Sequence, residues 1–318
     1  MTNQNCLFLG NPGTGKSTLI NCLLGAPKFK SGLSWGGGLT QDYERIDHDG
    51  VAYMDTPGLA DETIREQAAK AITMALQQGG RYKLFFMMRL QNGRVVSEDL
   101  VTLERVLGAI DMAASKIRFS VIFNNVDKKQ YNPLTQPDSD ALKSVHRVVN
   151  DRQFKTDALC FIPAIAALEE ASDAVVTLPP HVRDFMSEAP SMKIDPRVVR
   201  PVDPRGFALQ VQLIQEEMDE LLKSRAAMTA AMAAQHQQNE QVMQRERARH
   251  AAQVRSVQGK GHPISLSPQD DYAMHSLTPP IAPAGNKPAR DRKKRILMAS
   301  GHLLDLKSNK WVGLPVGK

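Results

Sequence analysis

The most constraining feature of this sequence is the octapeptide Gly10-Asn11-Pro12-Gly13-Thr14-Gly15-Lys16-Ser17. It lies between a short apolar run, Cys6–Gly10, and a helical pattern, Ser17–Leu24, and satisfies G-x-x-x-x-G-K-[ST] in the strand-to-helix setting that pattern requires. Glycines there let backbone N–H groups curl inward around phosphate oxygens, and the helix start adds positive potential. The spacing assigns Lys16 to β- and γ-phosphates and the Ser17 hydroxyl to Mg²⁺, with Asn11, Gly13, Thr14, Gly15 and Thr18 completing the phosphate-binding set.

Downstream of this octapeptide, strand and helix patterns alternate. Tyr43–Asp47 and Val51–Asp55 flank a His48-Asp49-Gly50 turn and read as a hairpin. Ile64–Gln77 reads as a helix capped by Asp61, and Tyr82–Leu90 as a strand too continuously apolar to be exposed. Ser97 caps a helix running to Ile110, with Glu98 and Asp99 at its positive end. Arg118–Asn124 is a buried strand, Ala141–Val149 a helix and Ala158–Ile162 another strand. This order predicts an α/β fold with a mostly parallel sheet and excludes all-helical and all-β alternatives.

Further motifs narrow the chemistry, since a phosphate loop alone does not separate ATPases, GTPases and small-molecule kinases. Val51–Asp55 ends on a carboxylate and continues into Thr56-Pro57-Gly58. Asp55 can hold Mg²⁺ through water, and the Gly58 amide can contact a γ-phosphate and move when it leaves; a plain Pro-Gly turn is the competing reading. In the stretch 31–40, Thr40 is the candidate for a second Mg²⁺ oxygen, with Ser31 and Ser34 as competitors and a simple flexible loop as the alternative. Asn124-Asn125-Val126-Asp127 comes at the end of a buried strand. A carboxylate there can accept from guanine N1–H and its exocyclic amine, whereas adenine would leave it unpaired. Ala164, after the next strand, could offer its amide to the base carbonyl.

Gly10–Ser17, Thr40, Asp55–Gly58, Asn124–Asp127 and Ala164 resemble, in their order, the motifs of translation-factor-class P-loop GTPases. The wording GKSTLINCLLG, FKSG, LTQ and YMDTPGLAD is most similar to septin, Era-like and immunity-associated (GIMAP) GTPases. The resemblance covers roughly residues 5–170 and implies a Ras-like three-layer fold that binds GTP and GDP with Mg²⁺ and hydrolyses GTP slowly unless assisted. It places catalysis on Lys16, Thr40 and Gly58, guanine binding on Asn124, Asp127 and Ala164, and the metal on Ser17, Thr40 and Asp55. Two positions depart from it. Asn125 stands where the class carries a Lys that covers the base, and Leu59 stands where Ras-like enzymes carry a water-orienting Gln. An apolar side chain cannot orient water, so turnover would need another group, a cation or a partner in trans.

The rest of the chain carries no second chemical motif. Six prolines between Leu178 and Pro204 predict an extended connection, and Asp203-Pro204 opens a long helix. Its seam (Val211, Ile214, Met218, Leu221, Arg225, Met228, Met232) becomes polar at Gln235 and Asn239, weak for a coiled coil, so a single helix packed on the sheet competes with self-association. The domain reading is therefore 1–177 for the nucleotide-binding domain, 178–204 for the connection, 205–254 for the helix and 255–318 for a basic, largely disordered tail. Residues 251–318 hold 11 Lys+Arg against 4 Asp+Glu, whereas residues 1–250 hold 29 against 30, so the net charge of +6 belongs to the tail. Its cluster Arg290–Arg295 suits an anionic membrane or nucleic-acid contact or a nuclear address, against a plain solubilising role, and His302–Trp311 could add a short strand. The eight histidines have no Cys or carboxylate at metal-ligand spacing. Three cysteines, no long apolar run and no charged leader suggest a reducing, cytoplasmic setting without a membrane span. Two function classes remain: a GTP-hydrolysing switch or assembly protein, or a nucleotide-binding scaffold with little turnover acting through the helix. An ATPase is the third and weakest reading.

Overall fold

Strand order, more than any single element, decides where a ligand can sit in this molecule. The computed structural model describes residues 4–32, 40, 42–258, 295–297, 302–305 and 310–313. Strand β1 (Gln4–Leu9) leads through the glycine-rich turn into α1 (Lys16–Leu24), and β2 (Glu44–His48) pairs antiparallel with β3 (Val51–Asp55) across the expected turn. Helix α2 (Arg65–Leu76), β4 (Gly80–Met88), a small hairpin of β5 (Leu90–Gln91) and β6 (Arg94–Val95), and α3 (Ser97–Gly108) come next. Then come β7 (Ser120–Val126), α4 (Lys128–Thr135), α5 (Asp140–Asn150), β8 (Leu159–Pro163), α6 (Ala166–Glu169), α7 (Pro180–Glu188) and β9 (Met192–Ile194).

The main sheet runs β2-β3-β1-β4-β7-β8, with β9 added on β4, and is parallel except for β2 and β9. Its central strands are buried continuously: Leu7, Phe8 and Leu9 on β1 and Leu84 to Met88 on β4 have almost no exposure. Such runs are expected where helices cover both faces. Phe8 stacks on Phe85 with ring centroids 5.1 Å apart, and Phe123 on Phe161 at 5.2 Å, so adjacent strands are also locked by side chains. This is a Ras-like P-loop GTPase fold in three layers. Because the strand order reverses at β1, with β3 on one side and β4 on the other, the carboxyl ends of the parallel strands β1, β3, β4 and β7 lie along one edge of the sheet, the position where open α/β sheets bind ligands.

The proline-rich stretch differs from expectation. Residues 178–204 form α7 and β9 instead of an extended connection. Pro180 occupies the first helical turn, where a missing N–H costs nothing. Strand β9 pairs antiparallel with Gly80–Tyr82, the part of β4 that lies ahead of its pairing with β7.

The chain divides into two units, Met1–Gln215 with Lys293–Lys318, and Glu216–Arg292. Helix α8 (Phe207–Gln258) begins in the first and continues through the second. Its opening turns are tied to α3: Arg105 Nε donates to Gln210 Oε1 at 2.6 Å, Gln210 Nε2 to Glu104 Oε2 at 2.8 Å, and Ser97 Oγ to Gln215 Oε1 at 2.6 Å. In the stretch expected to be unstructured, β10 (Arg295–Leu297), β11 (His302–Asp305) and β12 (Lys310–Gly313) form an antiparallel sheet, and β11 falls where a short strand was anticipated. Most of the basic cluster, 290–294, lies outside the described residues, as does Ser34. Among the described residues, no helix is long and apolar enough to cross a membrane.

Candidate nucleotide site

The loop after β1 takes its shape from glycine. Gly13 and Gly15 have φ of 76° and 86°, in the left-handed region, and Gly15 is the N-cap of α1. A Cβ on Gly15 would lie 2.3 Å from Asn124 Nδ2, so β7 presses directly on the loop. Asn124 Nδ2 also donates to the Thr14 carbonyl at 3.0 Å. Lys16 begins α1 nearly buried, and its Nζ donates to the Gly10 carbonyl at 2.9 Å and the Asn11 carbonyl at 3.2 Å. Burial pushes the Lys16 ammonium below its ordinary range, while Asp55 and Asp99 pull it back up. Gly13 is exposed on the rim and Thr18 half-buried in the first turn of α1.

Three hard oxygens meet beside this loop. Ser17 Oγ donates to Asp55 Oδ2 at 2.5 Å, Thr40 Oγ1 donates to the same oxygen at 3.2 Å, and the two hydroxyls are 3.3 Å apart. Asp55 is fully buried at the end of β3. Desolvation raises its pKa, opposed by Lys16, by both hydroxyls and by the Thr56 N–H, which donates to Oδ1 at 3.0 Å. The structure therefore brings together Ser17, Thr40 and Asp55 from three separate segments. Ser31, the competitor of Thr40, is engaged elsewhere: its N–H donates to Asp173 Oδ1 at 2.8 Å.

Gly58 lies flat on the loop, where a Cβ would approach Pro12 Cδ at 2.5 Å and Asn11 Cα at 2.6 Å. Leu59 is fully buried in the core, so it has no route to solvent or to a ligand. Arg65, at the start of α2, holds this segment: Nε donates to the Leu59 carbonyl at 2.7 Å and an Nη to the Ala60 carbonyl at 3.2 Å. The same guanidinium lies 4.8 Å from the centroid of the Phe207 ring, the first residue of α8.

Several residues take parts other than those expected. The Asn11 side chain does not face the phosphate cradle. It donates to Asp99 Oδ1 at 2.8 Å and accepts from Thr102 Oγ1 at 2.8 Å and the Ala60 N–H at 3.1 Å, so only its backbone belongs to the cradle. Asp99 lies in the first turn of α3 as expected, but it is fully buried there and bonded by the Arg89 N–H at 2.9 Å and guanidinium at 3.1 and 3.3 Å. Asp127 is the N-cap of α4, accepting from the Lys129 N–H at 2.7 Å through Oδ1, and it remains exposed at the crevice side of β7. Asn125 beside it adopts φ of 54° and is exposed. The Ala164 amide donates to the Val126 carbonyl at 3.0 Å, so it serves the β7–β8 pairing and is not offered to a base carbonyl. Sequence reasoning missed Arg65, Arg89 and Asp99 altogether as parts of the site. Among the described residues no cluster of His, Cys, Asp and Glu has the makings of a metal centre of its own.

Residues 5–136 match the family model described as 50S ribosome-binding GTPase. A search of curated protein sequences gave no match. Similar solved structures include Toc33 from Arabidopsis thaliana in complex with GDP and Mg²⁺, 15% identical over 64% of this chain and 89% of that one, with a TM-score of 0.39. They also include Era from Aquifex aeolicus bound to GDP·AlF₄⁻, 19% identical over 61% of this chain and 62% of that one, with a TM-score of 0.37. At these values the likenesses carry no functional information.

Proposed function

The chain carries a P-loop GTPase domain, its family match running over residues 5–136, and on that premise we propose that it binds GTP and GDP with Mg²⁺ and hydrolyses GTP slowly, as a switch or assembly protein. The observation behind this reading is the convergence of Ser17, Thr40 and Asp55 on one point beside the loop, with Lys16 curled into that loop and Gly58 packed against it. An all-oxygen set of two hydroxyls and a carboxylate suits Mg²⁺, which would neutralise charge on the phosphates when bound there.

The chain's own residues then have distinct parts. Lys16 and the amides of Gly13, Thr14, Gly15, Ser17 and Thr18 hold the phosphates, with Thr40 and backbone groups orienting water. Gly58 reports on the γ-phosphate, because any group larger than hydrogen would push it off the loop. Asp127 selects guanine. Its cap to Lys129 fixes the carboxylate plane, and Oδ2 keeps the lone pairs that guanine's donors require. Lys16→Ala should weaken nucleotide binding by about a hundredfold or more. Titration calorimetry with GTP would check this, and unchanged affinity would remove the phosphate assignment.

A second reading, a nucleotide-bound scaffold with little turnover, is favoured by Leu59, which is fully buried where a water-orienting side chain would be needed. Single-turnover hydrolysis, with the chain alone and at self-associating concentrations, separates the two. Acceleration with concentration supports the switch; a rate indistinguishable from the uncatalysed one supports the scaffold.

A further inference from the structure

The Asn11 side chain ties the phosphate loop to the segment that follows Gly58. It is fully buried, and its amide is engaged at both ends. Oδ1 accepts from the Ala60 N–H at 3.1 Å and from Thr102 Oγ1 at 2.8 Å, filling both lone pairs, while Nδ2 donates to Asp99 Oδ1 at 2.8 Å. Turned the other way, the amide would set its oxygen on the Asp99 carboxylate and its N–H on the Ala60 N–H, so the surroundings fix its orientation. Asp99 and Thr102 belong to α3, and the N–H and guanidinium of Arg89, just past β4, hold Asp99 in turn. The backbone of Asn11 serves the loop itself. Its carbonyl accepts from Lys16 Nζ and Thr14 Oγ1, and Gly58 packs directly on it.

We propose that Asn11 is a positioning residue: through Ala60 its side chain holds the Gly58 amide where a γ-phosphate is read, so that GTP meets a segment already in place. This rests on the reading of Gly58 as the γ-phosphate contact. Arg65 also grips the segment, but from α2, five and six residues along the chain. Bonds so local travel with the segment wherever it goes. The Asn11 bond spans 49 residues and ends on the phosphate loop and α3, so it breaks when the segment leaves. A segment held before the ligand arrives costs less to order on binding. Burial makes the arrangement exacting. An apolar isostere at position 11 would leave the Ala60 N–H, the Thr102 hydroxyl and Asp99 Oδ1 each short of a partner, and a carboxyl there would face another carboxyl.

The test uses the full chain with Asn11→Asp, and with Thr102→Val against Thr102→Ser. Affinities for GDP and a non-hydrolysable GTP analogue are measured by fluorescence in Mg²⁺, and amide exchange at Ala60 is followed by NMR without nucleotide. At about pH 8, Asn11→Asp should lower affinity for the GTP analogue roughly tenfold more than for GDP, and should speed Ala60 exchange. The introduced carboxyl is buried beside Asp99, with Arg89 and Lys16 as the nearby cations; burial and the like charge raise its pKa. Below that pKa its O–H donates to Asp99 as the amide does, and its other oxygen accepts from Ala60 and Thr102. Both deficits, measured against wild type at each pH, should therefore shrink as pH falls toward about 5.5. Thr102→Val, which keeps the shape and loses the hydroxyl, should shift the affinity ratio about two- to threefold the same way, and Thr102→Ser should match wild type. The Thr102 pair carries the test if Asn11→Asp fails to fold. Equal losses for both nucleotides, unchanged Ala60 exchange, a deficit indifferent to pH, or Thr102→Val indistinguishable from Thr102→Ser would each overturn the proposal in a chain that binds both nucleotides. A wild-type chain that binds neither would fail the nucleotide reading itself, and the proposal with it.

Discussion

At the scale of single residues, the site rests on a few side chains that cannot be exchanged for their nearest relatives. In the base recognition proposed above, Asp127 would accept two hydrogen bonds from guanine only as a carboxylate. Asp127→Asn should therefore move preference from guanine toward xanthine, where donor and acceptor are exchanged. Competition between GTP and XTP checks this, and undiminished GTP preference would remove Asp127 from base recognition. Gly58 makes a steric prediction instead. A methyl group there meets backbone atoms of Asn11 closer than 3 Å, which no rotamer can relieve. Gly58→Ala should lower affinity for GTP more than for GDP, by about tenfold in the ratio, because only the triphosphate needs the segment in place. Equal losses for both nucleotides would mean that Gly58 shapes the loop and does not read the γ-phosphate. The positions of the octapeptide and the Asp55 carboxylate in the fold were legible in the sequence because they derive from local order along the chain. The destination of the Asn11 side chain was not, since its partners Asp99 and Thr102 lie some ninety residues away.

At the scale of elements, propensity and patterning served the central sheet well and its surroundings less well. Strands β1, β3, β4, β7 and β8 announce themselves by apolar runs, because burial on both faces leaves little choice of residue. Helix α4 does not: it contains Pro133, and only Leu134 is buried, so no apolar period marks it. Helix α7 and strand β9 were hidden by prolines that sit at element starts, where they are tolerated. Ala164 shows the same limit at a strand end, since its amide is committed by pairing with β7 and composition cannot reveal register. Tertiary contact also explains how the first turn of α8 is anchored. Arg65 joins the carbonyls after Gly58 to the Phe207 ring, so the segment beyond Gly58 and the first turn of α8 share one guanidinium. Arg65→Ala should cost about 1–3 kcal/mol locally and raise hydrogen-exchange rates in both 59–64 and 207–215. Faster exchange confined to 59–64 would show that Arg65 does not hold the helix.

At the scale of the whole molecule, the function proposed for it rests on the place where the carboxyl ends of the parallel strands come together. The central claim is that one crevice there holds phosphates, Mg²⁺ and guanine together. Its most direct test is equilibrium binding of fluorescent GTP, GDP and ATP analogues to the full chain, in Mg²⁺ and in EDTA. Tight guanine-nucleotide binding that weakens in EDTA is the predicted result, with the ATP analogue at least tenfold weaker, by about 1.4 kcal/mol or more. Equal binding of the ATP analogue, or guanine binding indifferent to Mg²⁺, would contradict it.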